Sequence, residues 1–173
     1  MQSVFYSFAF LMDKIIICAP EEALLPEKKS EEAMCRDIKT CEDFTLEPGE
    51  LKLIKSGIKT YIPTGRACKM YARSSLPIKN GLILANNVGI FDSDYRGEYL
   101  MQLYNFTDKT VNIDAYTRLC QLEFCPHYRG EAQFGTKEIP EIELIADAEL
   151  FERFDQEYPS ERGTGGLGST GKK

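Results

Sequence analysis

Short runs of alternating apolar and polar residues recur along most of the chain. Ile15-Ile16-Ile17-Cys18 opens the series as a predicted strand and Pro20 stops it. Glu21–Glu32 is acidic, with Leu24 and Leu25 before Pro26, and reads as a surface loop. Pro48-Gly49 is a turn signal closing Phe44–Gly49. Leu51, Leu53, Ile58, Thr60 and Ile62 alternate with polar residues on either side of Gly57, which predicts two strands joined by a turn or bulge. Ala67–Ala72 alternates again, and Gly81–Ala85 is a short apolar run fitting a buried strand. Asn86–Glu98 sets apolar residues around Asp92-Ser93-Asp94, between Gly89 and Gly97, and predicts a β-hairpin. Tyr99–Phe106 and Val111–Asp114 are two more strands, joined at Asp108-Lys109, and Leu119–Phe124 is the last clear one. Helical spacing occurs once, at Ala146–Phe154, where Leu150, Phe151 and Phe154 share a face before Pro159. Many short strands between turn signals predict an all-β sandwich or barrel with a short helix.

Composition narrows the function classes. A chain of 173 residues, 43% apolar, holds one globular domain with a real core. Its net charge of −6 argues against a nucleic-acid footprint, which needs a basic face. A small anion remains possible, because a few arginines and backbone amides suffice for one. The six cysteines include no Cys-x-x-Cys pair, and His127 is the only histidine, so zinc spacing and a Ser-His-Asp triad are both disfavoured. Reduced thiols in a cytoplasmic protein are expected. Met1–Met12 is aromatic and apolar, too short to span a bilayer and without a basic start. Residues 1–13 form an extension of unassigned role; a start at Met12 and an arm packed on a neighbour both stay open.

Several stretches carry candidate chemistry. Asp92 and Asp94 stand two apart, so extended backbone turns both carboxylates to one side. Ala72-Arg73-Ser74-Ser75-Leu76 follows a strand with a cation and two hydroxyls. The tail from Arg162, Arg-Gly-Thr-Gly-Gly-Leu-Gly-Ser-Thr-Gly-Lys-Lys, is flexible by composition. Its glycines let backbone N–H groups approach an anion, and Arg162, Ser169 and Thr170 add donors.

Gly-Ile-Phe-Asp-Ser-Asp-Tyr-Arg-Gly-Glu at residues 89–98 strongly resembles the third motif of the trimeric dUTPases, and the other motifs of that family flank it in order. The resemblance implies a β-clip, distorted jelly-roll barrel over residues 14–161, with 128–154 as an insertion and 162–173 as a phosphate-binding arm. It implies Mg²⁺-dependent hydrolysis of dUTP to dUMP and pyrophosphate in a homotrimer with sites between subunits. Asp92 matches the general base, Tyr95 the ring under the deoxyribose, and Asn86 and Gly89 the strand that reads uracil. Asp94 and Arg96 are assigned to fixing the turn. Arg73 and Ser74 match the phosphate-holding pair of the second motif; Ser75 and Ala72 depart from its usual Gly and Pro. Ala33, Asp37 and Ile38 fit the first motif, which makes Asp37 a candidate contact to Mg²⁺ through water. Gln121 matches the ligand contact of the fourth motif, beside Arg118. Arg162, Gly166, Leu167, Gly168, Ser169 and Thr170 match the fifth, which folds over the nucleotide. Leu167 replaces a phenylalanine that stacks on uracil, so a weaker closure is expected. Phe91 stands where an aliphatic residue is usual.

Two alternatives carry weight beside this reading. The dCTP deaminases share the fold and use a glutamate at about the place of Gln102; a glutamine cannot shuttle a proton as glutamate does. A regulatory protein on the same scaffold, with an unidentified protein partner for the acidic insertion, is the second.

Overall fold

The computed structural model describes residues 14–126 and 140–166. Twelve strands among them form four small sheets: β1 (Ile15–Ala19), β2 (Arg36–Lys39), β3 (Phe44–Leu46), β4 (Leu51–Lys55), β5 (Lys59–Tyr61), β6 (Arg66–Ala72), β7 (Leu82–Leu84), β8 (Val88–Asp92), β9 (Leu100–Asn105), β10 (Val111–Ile113), β11 (Arg118–Pro126) and β12 (Ile142–Ala146). The sheet orders are β12-β1-β5, β10-β3, β2-β11-β6-β8 and β4-β9-β7. All pairings are antiparallel except β1 with β12. The helices are short: α1 (Ala148–Glu152), α2 (Phe154–Glu157), a 3-10 turn at Glu22–Leu24 and a π-helical turn at Leu76–Asn80. No helix among the described residues is long and apolar enough to cross a membrane.

Alternation decides which side of each strand enters the core. On β1 both faces are buried, which is why the segment reads as one apolar run rather than an alternation. Ile15, Ile17 and Ala19 join the main core; Ile16 and Cys18 turn the other way, onto Leu150, Phe151 and Phe154. On β11 the alternation slips at a bulge after Arg118, so Leu119 and Cys120 are both buried. Gly57 turns the chain between β4 and β5 at φ +67°, and a Cβ there would lie 2.6 Å from Leu24 Cδ1. Only glycine meets both demands.

The structure departs from the sequence-based reading in five places. Asn86–Glu98 is no hairpin: β8 pairs with β6, whereas β9 pairs with β4 and β7. The expected helix is two, α1 capped by the Asp147 carboxylate on Leu150 N (2.9 Å) and α2 following at Phe154. The expected loop at Glu21–Glu32 contains the 3-10 turn, which buries Leu24. Strands β2 and β3, over the first motif and the residues before Pro48-Gly49, had no counterpart in the alternation. Strand β12 was likewise unforeseen. Residues 142–157 supply that strand and both helices, and α1 and α2 bury three side chains in the second apolar cluster.

Candidate active site

Asp92 ends β8 and starts a tight turn, closed by Tyr95 N donating to Asp92 O (3.1 Å). Arg96, only 4% exposed, braces this turn from behind. Its guanidinium donates to three carbonyls: Tyr158 O (2.6 Å), Ser93 O (2.7 Å) and Tyr95 O (3.0 Å). Burial lowers its pKa from the usual arginine value. The Arg96 amide also donates to Gly163 O (2.8 Å), and Ser160 Oγ to Asp94 O (2.6 Å), so the start of the C-terminal arm is tied to the turn.

An aromatic stack supports the turn on its inner side. The Phe91 ring lies on Tyr99 with centroids 3.6 Å apart at 11°, and tilts against Tyr95 at 5.9 Å. Tyr99 is fully buried, shares a 2.5 Å hydrogen bond with Thr60, and burial pushes its phenol well above the usual value. Tyr95 donates to Glu98 O (3.0 Å), and burial raises its pKa as well. A Cβ on Gly97 would stand 2.3 Å from the Tyr95 hydroxyl, so glycine is needed for the ring to lie there.

Where the expected hairpin splits, a cavity of about 100 Å³ opens between β8 and β9. Asn86, Gly89, Phe91, Tyr95, Gln102 and Arg162 are among its walls. Its wall residue Arg162 reaches out through Nη1 to Asp92 Oδ2 (2.5 Å) and Asp94 Oδ1 (3.5 Å). The two carboxylates therefore do converge, on one cation. The hydrogen bond from Arg162 to Asp92 raises the guanidinium pKa further. That guanidinium also donates to Gly165 O (2.9 Å) and lies over the Tyr95 ring at 5.5 Å. Gly166 follows against the same ring, where an added Cβ would be 3.4 Å away. A larger cavity, about 280 Å³, lies behind the turn between Tyr61, Arg96 and Tyr158. Its guanidinium is spent on carbonyls, and the smaller cavity is the one with a cation in its wall that is paired to a carboxylate.

The remaining candidates gather elsewhere. Asp37, on β2 and 9% exposed, receives Arg73 Nε (3.1 Å) and Arg118 Nη1 (3.2 Å), both on Oδ2. Arg73 also donates to Arg118 O (3.0 Å), and Gln121 to Ala72 O (3.2 Å). Ser74 and Ser75 follow in the turn closed by Leu76 N on Arg73 O (2.9 Å), Ser74 exposed and Ser75 half-buried. This cluster and Asp92 lie at opposite ends of one sheet. Asp92 is opposite Ala67 on β6, and Arg73 lies beyond the far end of that strand. The offset is about 20 Å at the usual rise per residue.

Leu167, Gly168, Ser169 and Thr170 lie outside the described residues. Among the described residues no group of three His, Cys, Asp or Glu could hold a metal ion. All six cysteines are free. The sequence assigns no ligand role to Gln102 and marks Phe91 only as standing where an aliphatic residue is usual. The one available signal was the alternation of β9, which turns Leu100, Gln102 and Tyr104 to the side opposite the buried Met101, Leu103 and Asn105.

Comparison with solved structures gives the class first. The fold is similar to a dUTPase from Streptococcus mutans, with a TM-score of 0.63 at 33% identity over 66% of this chain and 94% of that one. It is also similar to the dUTPase of phage phi11 of S. aureus, described with a structural Mg(II) ion, at a TM-score of 0.62 and 21% identity over 72% and 97% of the two chains. The architecture is thus the all-β, β-clip jelly roll of these enzymes. In sequence, the chain is 37% identical over 153 residues to the deoxyuridine 5'-triphosphate nucleotidohydrolase of Lactococcus lactis, covering 85% of this chain and 87% of the relative. The enzyme of the same description from Nautilia profundicola is 35% identical, over 88% and 94%. The dUTPase family model matches residues 21–171, and the chain belongs to the dUTPase family.

Proposed function

We propose that the chain hydrolyses dUTP to dUMP and pyrophosphate, with Asp92 as the general base. The observation that carries the assignment of the base is Asp92 directly after the wall residue Phe91 and ion-paired to the wall residue Arg162 of the β8–β9 cavity, with Tyr95 as a further wall. Uracil enters between the splayed strands, beside Asn86 and Gly89, and the deoxyribose rests on Tyr95. A water held by Asp92 gives it a proton and attacks the α-phosphorus in line; the α–β bridge breaks and pyrophosphate leaves. Phosphate oxygens compete with Asp92 for the Arg162 guanidinium, and that exchange frees the carboxylate to act.

Arg73, Ser74 and Gln121 orient the phosphate chain, and Asp37 and Arg118 hold Arg73 in place. The offset of about 20 Å along β6 is longer than the reach from an α- to a γ-phosphate. That offset supports reading the phosphate-holding cluster as supplied by a second copy, in the homotrimer with interfacial sites that the resemblance implies. An exposed apolar face supports this: Leu51, Leu53 and Ile83 are 55%, 41% and 40% exposed on the sheet β4-β9-β7, the kind of surface that a subunit contact covers. The residues fit Mg²⁺ in the way that ion is commonly held, by one or two carboxylates plus substrate phosphates rather than an all-protein cage. Asp37, whose two ion pairs share Oδ2, would hold it through water. When bound, Mg²⁺ draws charge from the triphosphate oxygens. Free thiols agree with a cytoplasmic setting.

The test is pyrophosphate release from dUTP with Mg²⁺, beside dCTP, dTTP and UTP. Turnover of dUTP alone, lowered at least a hundredfold by Asp92→Asn, is the expected result, since a positioned base contributes about 10²–10⁴. Ammonia release from dCTP would move the chain to the deaminase branch.

A further inference from the structure

The Gln102 side chain makes no hydrogen bond among the described residues, yet it forms part of the cavity wall. Its place there is set by β9. Ala85 N donates to Gln102 O (2.7 Å), which puts Gln102 beside Asn86 at one end of the cavity; Tyr95 and Arg162 occupy the other. A pyrimidine nucleotide with its sugar on Tyr95 and its phosphates at Arg162 points its base edge toward Gln102. The other named walls at that end are Asn86 and the buried Gly89, which has no side chain.

We propose that Gln102 is a base-reading residue whose side-chain amide hydrogen-bonds the exocyclic group at C4 of the pyrimidine. This rests on the nucleotide-binding part of the proposed function and not on the hydrolytic part. The chemistry is particular to an amide. Uracil offers an acceptor at C4, which the Gln102 NH₂ satisfies; cytosine offers a donor there, which the Gln102 oxygen satisfies after a flip. A glutamate at the same position only accepts, so it favours the 4-amino base and repels the 4-oxo base. A leucine does neither and leaves the polar edge of either base unpaired.

Calorimetric titration with the α,β-imido analogues of dUTP and dCTP, in Mg²⁺, for wild type, Gln102→Leu and Gln102→Glu, tests this without turnover. Gln102→Leu is expected to weaken dUTP-analogue binding about tenfold, with the melting temperature held. Gln102→Glu is expected to shift the dCTP/dUTP affinity ratio toward dCTP by about tenfold or more. The same ratio in all three proteins overturns the proposal. So does equal loss of both ligands in the glutamate variant, which would mean a packing role only. A wild type that binds with this Gln102 dependence but releases no pyrophosphate from dUTP upholds Gln102 as base reader and removes the hydrolytic reading instead.

Discussion

Phe91 connects the interior to the reaction. It stacks on the buried Tyr99 and touches Tyr95, so one ring links the core to the residue proposed to lie under the sugar. Phe91→Leu removes that ring contact, and aromatic pairs are worth about 0.5–1.5 kcal/mol beyond area. A stability loss of about 1 kcal/mol in urea unfolding is expected, with a raised KM for dUTP and kcat changed less, since the base is untouched. Buried thiols give a second residue-scale expectation. Burial raises Cys18 and Cys120 to about 12, and Cys68 higher still. A thiol whose folded pKa lies above its unfolded value, near 9.0, stabilises the fold fully below that value and loses the contribution as pH rises toward the folded one. The melting temperature should therefore decline above pH about 9, and a Cys18→Ala variant should decline less steeply. The candidate chemistry was legible in the sequence because it is local: Asp92, Tyr95 and Arg162 lie in short motifs with fixed spacing. The role of Phe91 was not, because its partner Tyr99 lies beyond the turn, just ahead of a strand of another sheet.

At the scale of elements, alternation revealed most strands but not their partners. β8 and β9 are adjacent in sequence with a tight turn between them, and by local rules they pair. Instead each takes its hydrogen bonds from a different sheet, and the gap between them becomes the cavity. Strand β12 escaped for another reason. Its pattern, Ile142-Glu143-Leu144-Ile145-Ala146, leaves Leu144 exposed and mixes apolar residues onto both faces, so no clean period of two exists. The helices after it were legible from Leu150, Phe151 and Phe154, which do share a buried face. Phe154 is fully buried there against the outer side of β1. Phe154→Ala should lower unfolding free energy by about 3–5 kcal/mol, read as a lower urea midpoint.

At the scale of the molecule, the residues assigned to the site fall in two places on one chain, and the proposed assembly is what would join them. The charged cluster at Asp37, Arg73 and Arg118 and the cavity at Asp92 are separated by the length of β6. A mixing experiment reads this directly. Asp92→Asn and Arg73→Ala should each be nearly inactive as pure proteins. Unfolded together and refolded, they should regain part of the wild-type rate, because mixed assemblies contain some sites with both intact halves. Failure to regain any, with both variants trimeric by light scattering, would place both halves in one subunit.

The parallel pairing of β1 with β12 joins Ile15 to Ile142 and Ala19 to Ala146. An edge of the first strand is thus covered by one of the last. Contacts so distant along the chain close late, because the loop entropy between them must be overcome first. During synthesis Ile15–Ala19 waits, with an apolar face and an open edge, until nearly all of the polypeptide has left the ribosome. Folding is therefore slow relative to helical domains of this size, and that waiting interval is when the chain is most exposed to aggregation and to chaperones.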